Sequence, residues 1–160
     1  MDLDGLVSKL KKDFPESILD ASTFRGEITL HLRTQDILPI CRFLHDAPEL
    51  SYDYLTDLCG VDYYPQEPRF QVIYHLCAMR TRYRLRLKVS LPGVNPRLAS
   101  VVSVWQGANW LEREAFDMFG ITFDGHPDLR RILLTPDWEG HPLRKDYPLR
   151  GQIKAAGEEE

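Results

Sequence analysis

Apolar residues recur along this chain with two periods, and the switches between them outline its elements. Leu3, Leu6, Val7 and Leu10 share one helical face with Lys9, Lys11 and Lys12 around the other, which predicts an amphipathic helix from Leu3 to Phe14, closed by Pro15. Ile18 to Ser22 and Glu27 to Leu32 read as two short strands joined near Arg25-Gly26. A second helix is expected over Gln35 to Asp46, with Ile37, Ile40, Cys41 and Leu44 on its buried side and Pro39 early, where proline is tolerated. Tyr52 to Leu58 fits a helical turn or a strand, Val61 to Tyr64 looks extended, and Pro65 to Pro68 makes a turn. Alternation then predicts two antiparallel strands, one facing inward through Phe70, Val72, Tyr74, Leu76 and Ala78, the next through Tyr83, Leu85, Leu87, Val89 and Leu91.

The opposite face of that last strand carries Arg82, Arg84, Arg86 and Lys88. Such a ladder suits an acidic partner or a phosphate backbone. The plainer reading is a solvated face that discourages edge-to-edge pairing, and it is preferred because no aromatic residues interleave with the charges. Asn95-Pro96 is expected to open a short helical stretch through Trp105, with Gly107 separating it from a further helix over Trp110 to Phe119. In that helix Asn109 is read as the N-cap, Glu112 as its capping-box partner and Gly120 as the stop, with Arg113 and Asp117 paired outside. Glu112 and Glu114 also suit the positive helix N-terminus. The fold class is α+β, two layers, with helices packed on one mixed or antiparallel sheet of about five strands.

Beyond it, Pro127, Pro136, Pro142 and Pro148 are too closely spaced for helices between them. Yet Leu129, Ile132, Leu133, Leu134, Trp138, Leu143, Tyr147 and Leu149 are too much apolar surface for a solvated tail. Either the segment folds back over its own domain or it runs extended across another protein. Ordering it costs roughly 1–2 kcal/mol of backbone entropy per residue, against about 1.5–3 kcal/mol returned by each buried large apolar side chain. The domain is therefore expected to span 1–125, and 126–160 to form an extended irregular arm ordered only against a partner, with Lys154 to Glu160 a polar tail. On that expectation a chain cut after Gly125 keeps its stability.

At 160 residues the chain can bury a sizeable core. A net charge of −4 and a pI near 5.7 argue against general nucleic-acid binding. Three separated cysteines, Cys41, Cys59 and Cys77, indicate neither a disulfide framework nor a CxxC metal site, and suit small buried hydrophobes in a reducing compartment. The acidic start Met1 to Asp4 resembles no secretory signal, and no apolar run reaches the ~20 residues a bilayer requires, so contact with a membrane is expected only through partners. No Gly-x-Gly-x-x-Gly or Walker loop marks a nucleotide site. His126 and His141, with Asp124, Asp128, Asp137 and Glu139 nearby, raise a metal site, but tight spacing or a rigid frame is not evident. The same acids with Glu112 or Glu114 raise a carboxylate and histidine hydrolase, against which the local excess of arginine and lysine points to paired carboxylates.

The run Glu112-Arg113-Glu114, then Asp117 to Ile121 with Gly120, then Gly125-His126-Pro127-Asp128-Leu129-Arg130-Arg131-Ile132-Leu133, and the continuation Asp137-Trp138-Glu139-Gly140-His141-Pro142-Leu143-Arg144-Lys145-Asp146-Tyr147-Pro148 carry a resemblance. Together they resemble the signature of the thirty-kilodalton-type (C-type) subunit of NADH:quinone oxidoreductase, respiratory complex I. The resemblance implies a cofactor-free subunit of the hydrophilic arm, with FMN and iron–sulfur clusters held by partners. It also implies a hetero-oligomer at the cytoplasmic face of the bacterial inner membrane. There it would brace the quinone-site (D-type) subunit and the B-type and I-type iron–sulfur subunits, with a G-type subunit as a further contact. Glu112, Arg113, Glu114 and Asp117 are then expected at or near the contact with the quinone-site subunit, and Gly125 to Arg150 as an arm across adjoining subunits. Related subunits of ferredoxin-linked and F420-linked complexes share similar motifs.

Overall fold

The computed structural model describes residues 3–148; Leu149, Arg150 and the stretch Lys154 to Glu160 lie outside the described residues. Amphipathic patterning places the first helix, α1 (Leu3–Asp13), with Leu6 and Leu10 buried. Strands β1 (Ile18–Phe24) and β2 (Glu27–Leu32) follow as an antiparallel hairpin turning at Arg25 and Gly26, both at positive φ. The second helix divides into a 3-10 turn, Thr34–Asp36, and α2 (Ile37–Asp46), which buries Ile37, Ile40, Cys41 and Leu44 as its period requires.

The ambiguous stretch is a strand: β3 (Tyr54–Asp62) pairs antiparallel with β4 (Phe70–Ala78), and β4 with β5 (Tyr83–Leu91). β4 alternates buried and half-buried along its whole length, as the sequence predicts. The sheet runs β1-β2-β5-β4-β3 and is mixed, because β2 and β5 are parallel. One apolar cluster joins its inward side chains to those of the helices. The basic strand β5 thus lies inside the sheet, so its charges guard no edge. Arg86 instead donates to Glu27 at 2.7 Å and to Thr29 at 3.3 Å.

The stretch after Pro96 departs from expectation. Arg97–Ala99 is a short strand, β6, followed by one tight turn in which the N–H of Trp105 reaches the Val101 carbonyl at 3.0 Å. Pairing overrides local propensity here. β6 lies parallel to β7 (Thr122–Asp124), while Leu98 and Val101 enter the core and Arg97 pairs with Asp124. Between β6 and β7 runs α3 (Ala108–Phe119), laid on β3. Gly60 permits that contact: a Cβ there would stand 2.7 Å from the Phe119 ring.

Candidate functional site: a clamp on the end of α3

An α-helix leaves its last four carbonyls without partners, and its C-terminus carries partial negative charge. In α3 these groups are taken by the irregular segment that follows. Gly120, left-handed at φ 71°, bonds back to the Phe116 carbonyl and turns the chain away, as the stop signal predicts. The Asp117 carbonyl then accepts from His141 Nδ1 at 2.9 Å and Arg131 Nη1 at 3.2 Å. The Met118 carbonyl accepts from the Leu143 N–H at 3.1 Å, and the Phe119 carbonyl from Arg144 Nε at 2.6 Å. Two arginines therefore sit at the negative end of the helix.

Asp117 is the centre of this arrangement. Its side chain is wholly buried; one oxygen meets Arg131 Nη1 at 2.6 Å, and the other accepts the consecutive N–H groups of Ile132, Leu133 and Leu134 at 2.8–3.0 Å. Burial alone would raise its pKa, but Arg131 and these three amides hold it below the ordinary carboxylate value. The external pair between Arg113 and Asp117 is therefore not formed. Arg113 donates instead to the carbonyls of Arg130 and Arg131, at 3.0 and 2.9 Å. The second guanidinium nitrogen of Arg131 continues to the carbonyls of Trp138 and Gly140, at 3.0 and 2.9 Å.

A second anchor, which the sequence did not reveal, fastens the far end of the segment. Arg69, just before β4, makes a two-pronged pair with Asp62 at 2.8 and 2.9 Å and reaches Asp146 at 2.6 and 2.9 Å. The Lys145 N–H donates to Asp62 at 2.8 Å, while the Lys145 side chain stays exposed. Burial opposes ionisation of Asp62, yet Arg69 and the amides of Lys145 and Tyr64 hold its pKa at about 2. Arg69 and Arg144 both lie over the Phe70 ring, at 4.8 and 5.1 Å from its centre.

Residues 126–148 thus stay irregular, but they are fastened to their own domain in the lone chain. These contacts tell against an arm ordered only by a partner, and a cut after Gly125 is therefore expected to cost stability. The apolar sum omitted the polar groups: without the segment, a buried carboxylate and a helix end lose their partners. Leu129 and Leu134 pack on the core, whereas Leu133, Trp138 and Leu143 are 62%, 42% and 54% exposed.

The other signature residues fall into place individually. Glu112 is no capping-box residue. The first N–H groups of α3 are met by the preceding turn, Ala108 N to the Trp105 carbonyl and Asn109 N to that of Gln106, so no side-chain cap is needed. Glu112 is instead wholly buried and accepts from Ser100 Oγ at 2.6 Å and the Val101 N–H at 2.7 Å. Burial without a countercharge raises its pKa to about 7, against the lowering effect of these two bonds. Glu114 is exposed, with no ion pair among the described residues. His126 Nε2 donates to the Asn109 carbonyl at 3.1 Å, and its Nδ1 accepts the Asp128 N–H at 3.0 Å. Pro127 is exposed, Arg130 pairs with Asp128 at 3.0 Å, and Tyr147 donates to the Glu139 carbonyl at 3.4 Å. Among the described residues no three His, Cys, Asp or Glu side chains are grouped to hold a metal, and no helix is long and apolar enough to cross a membrane.

Comparison with known proteins places the chain in a family. Residues 30–153 match the family described as "Respiratory-chain NADH dehydrogenase, 30 Kd subunit". The chain is 50% identical over 149 residues to the C-type subunit of the NADH-quinone oxidoreductase of Roseiflexus castenholzii, covering 93% of this chain and 86% of that one. It is 51% identical over 146 residues to the corresponding subunit of Geobacter sulfurreducens, covering 91% and 89%. Among solved structures, the trypsin-resistant fragment of Nqo5 superposes with a TM-score of 0.67 at 28% identity, over 81% of this chain and 100% of that one. A membrane-bound sulfane sulfur reductase, an archaeal respiratory membrane complex, shares the fold at a TM-score of 0.75 and 20% identity, over 98% and 95%. The matched stretch takes in both anchors of the clamp and the strands beneath them, and the chain belongs to the family of the 30 kDa subunit of respiratory-chain NADH dehydrogenase.

Proposed function

We propose that the chain is a cofactor-free, non-catalytic subunit of the hydrophilic arm of a proton-translocating NADH:quinone oxidoreductase. It braces the quinone-site (D-type) subunit and the B-type and I-type iron–sulfur subunits, with a G-type subunit as a further contact. Electrons can then pass from NADH through FMN and iron–sulfur centres to quinone. The chain lies at the cytoplasmic face of the bacterial inner membrane and meets the membrane only through these partners.

The observation that carries this reading is the pairing of a rigidly anchored loop with exposed large apolar side chains. Leu133, Trp138 and Leu143 face water, although the backbone that bears them is tied to Asp117, Arg131 and the Met118 carbonyl. Holding such residues in place beforehand lowers the entropy cost of docking, and a tryptophan flanked by leucines suits the centre of an interface. Of the acids a hydrolase could recruit, Asp124 is paired with Arg97, Asp128 with Arg130, and Glu112 accepts hydrogen bonds from Ser100 and the Val101 N–H.

Replacing Leu133, Trp138 and Leu143 together by alanine is the test. The isolated variant should melt within a few degrees of the wild type, yet fail to co-purify with the complex, and NADH:quinone turnover of that complex should fall. Normal assembly of the triple variant, or stoichiometric flavin, iron or zinc in the purified wild-type chain, would overturn the reading.

A further inference from the structure

The basic ladder of β5 does not act as one unit in the fold. Arg86 is held by Glu27, but Arg84 and Arg82 continue to the end of the sheet remote from the clamp. β4 runs nine residues from Phe70, beside the Arg69 anchor, to Ala78 opposite Tyr83, a distance of about 26 Å. At that far end the parallel register of β2 and β5, with Ile28 opposite Leu85, brings the Arg25-Gly26 turn level with Arg82 and Tyr83. Arg25, Arg82 and Arg84 line one notch, with Tyr83 in its wall and the buried Tyr52 beneath.

The charges there are unbalanced. Among the described residues neither Arg25 nor Arg82 has an ion-pair partner, and Arg84 pairs only with Glu27, at 3.9 Å, a carboxylate already engaged by Arg86. Phe24 and Tyr83 are 68% and 50% exposed at the rim, and the Arg25 guanidinium lies 5.2 Å from the Phe24 ring centre. In a chain of net charge −4, this is a local excess of cations beside uncovered rings.

We propose that this end of the sheet is a second docking surface, and that it receives an acidic segment of a partner protein with carboxylates set beside an apolar side chain. Guanidinium forks bind carboxylates in two-pronged geometry, and the arginines in the notch have forks to spare. The rims of Phe24 and Tyr83 supply the apolar contact. A nucleic acid fits less well, because the chain's overall negative charge repels a long polyanion. The surface is independent of the loop bearing Trp138, so the subunit would grip partners at both ends of its sheet. The proposal rests on the subunit reading only in seeking the partner inside the complex.

The test places a photo-crosslinking amino acid at Tyr83 of the full chain, assembles the complex and identifies the captured peptide by mass spectrometry. A peptide of another subunit containing two or more Asp or Glu residues is expected. Its yield should fall at least tenfold in the Arg25→Glu/Arg82→Glu/Arg84→Glu variant, or in Arg82→Glu alone should the triple variant melt early. Lysines in place of the partner's carboxylates should restore the yield to the charge-reversed chain. Capture of a peptide without acids, no capture in the assembled complex, or a yield indifferent to charge reversal would overturn the proposal. So would binding of the isolated chain to phosphatidylserine vesicles or a single-stranded DNA oligomer that the charge reversal abolishes. Because assembly through Leu133, Trp138 and Leu143 is scored separately, failure here is distinguishable from failure of the subunit reading.

Discussion

Asp117 and Arg131 meet at 2.6 Å, fourteen residues apart in sequence, the acid wholly buried on α3 and the arginine in the irregular segment that follows. One carboxylate thereby balances a guanidinium and collects three successive amides. Asp117→Asn preserves the shape but replaces one anionic oxygen by an amide that must face a cation or an N–H donor. We expect a loss of about 3–5 kcal/mol in denaturant unfolding. Hydrogen exchange at Ile132, Leu133 and Leu134 should be slow in the wild-type lone chain and fast in the variant. A chain cut after Gly125, which removes all of these partners, should melt far below the full-length protein.

Arg69 ties two carboxylates, Asp62 close to it in sequence and Asp146 far beyond it. Lysine keeps the charge but not the fork, so Arg69→Lys should cost roughly 1–3 kcal/mol. The exchange protection of the Lys145 amide, which depends on Asp62, should be lost before that of Ile132. Equal protection at both amides in the variant would show that Arg69 is not the anchor.

Gly120→Ala meets two obstacles. The left-handed backbone costs a side chain about 1–2 kcal/mol, and a Cβ would stand 2.6 Å from both Arg144 and His141. The substitution should therefore lower the melting temperature, and it should also weaken assembly through the displaced loop. Gly125→Ala makes a suitable control, since its φ is also positive but no atom lies within 4 Å of the added Cβ.

Stability should respond to pH with opposite signs on its acid and neutral sides. Asp62, held at about 2, and Asp117, also lowered, bind protons less readily folded than unfolded. The stability they contribute is present above the ordinary carboxylate value and is lost as pH falls towards about 2. Glu112, raised to about 7 from 4.5, binds its proton more readily when folded. Its contribution is full below about 4.5 and is lost as pH rises to about 7, at about 1.4 kcal/mol for each unit of the rise. Glu112→Gln should abolish that neutral-side decline while leaving the acid side unchanged, which melting curves across the pH range would reveal.

Much of the fold was legible in the residues because burial imposes periods on them. The alternation of Phe70 to Ala78, the helical stripe of Ile37 to Leu44 and the hairpin at Arg25-Gly26 each report local geometry, and each stands where its pattern put it. Gly120 was readable for the same reason, since a left-handed stop is a property of one residue. The strand at Arg97–Ala99 was not, because it exists only through β7, beyond the intervening helix.

The site shows the same division. By itself the sequence determined that Asp117, Arg131, His141 and Arg144 belong to a family signature, and that the proline-punctuated segment could be neither helix nor free coil. Only the tertiary structure decided who meets whom. It exchanged the local Arg113 to Asp117 pair for Arg131, and it moved Glu112 from a capping role into the core against Ser100. It also joined Arg69 to Asp146 across a separation of 77 residues. The reason is that periodicity encodes which side of an element is buried, whereas an ion pair or a capped carbonyl depends on the position of two elements at once. At the end of α3 the unmet carbonyls and a buried carboxylate outweighed the apolar count.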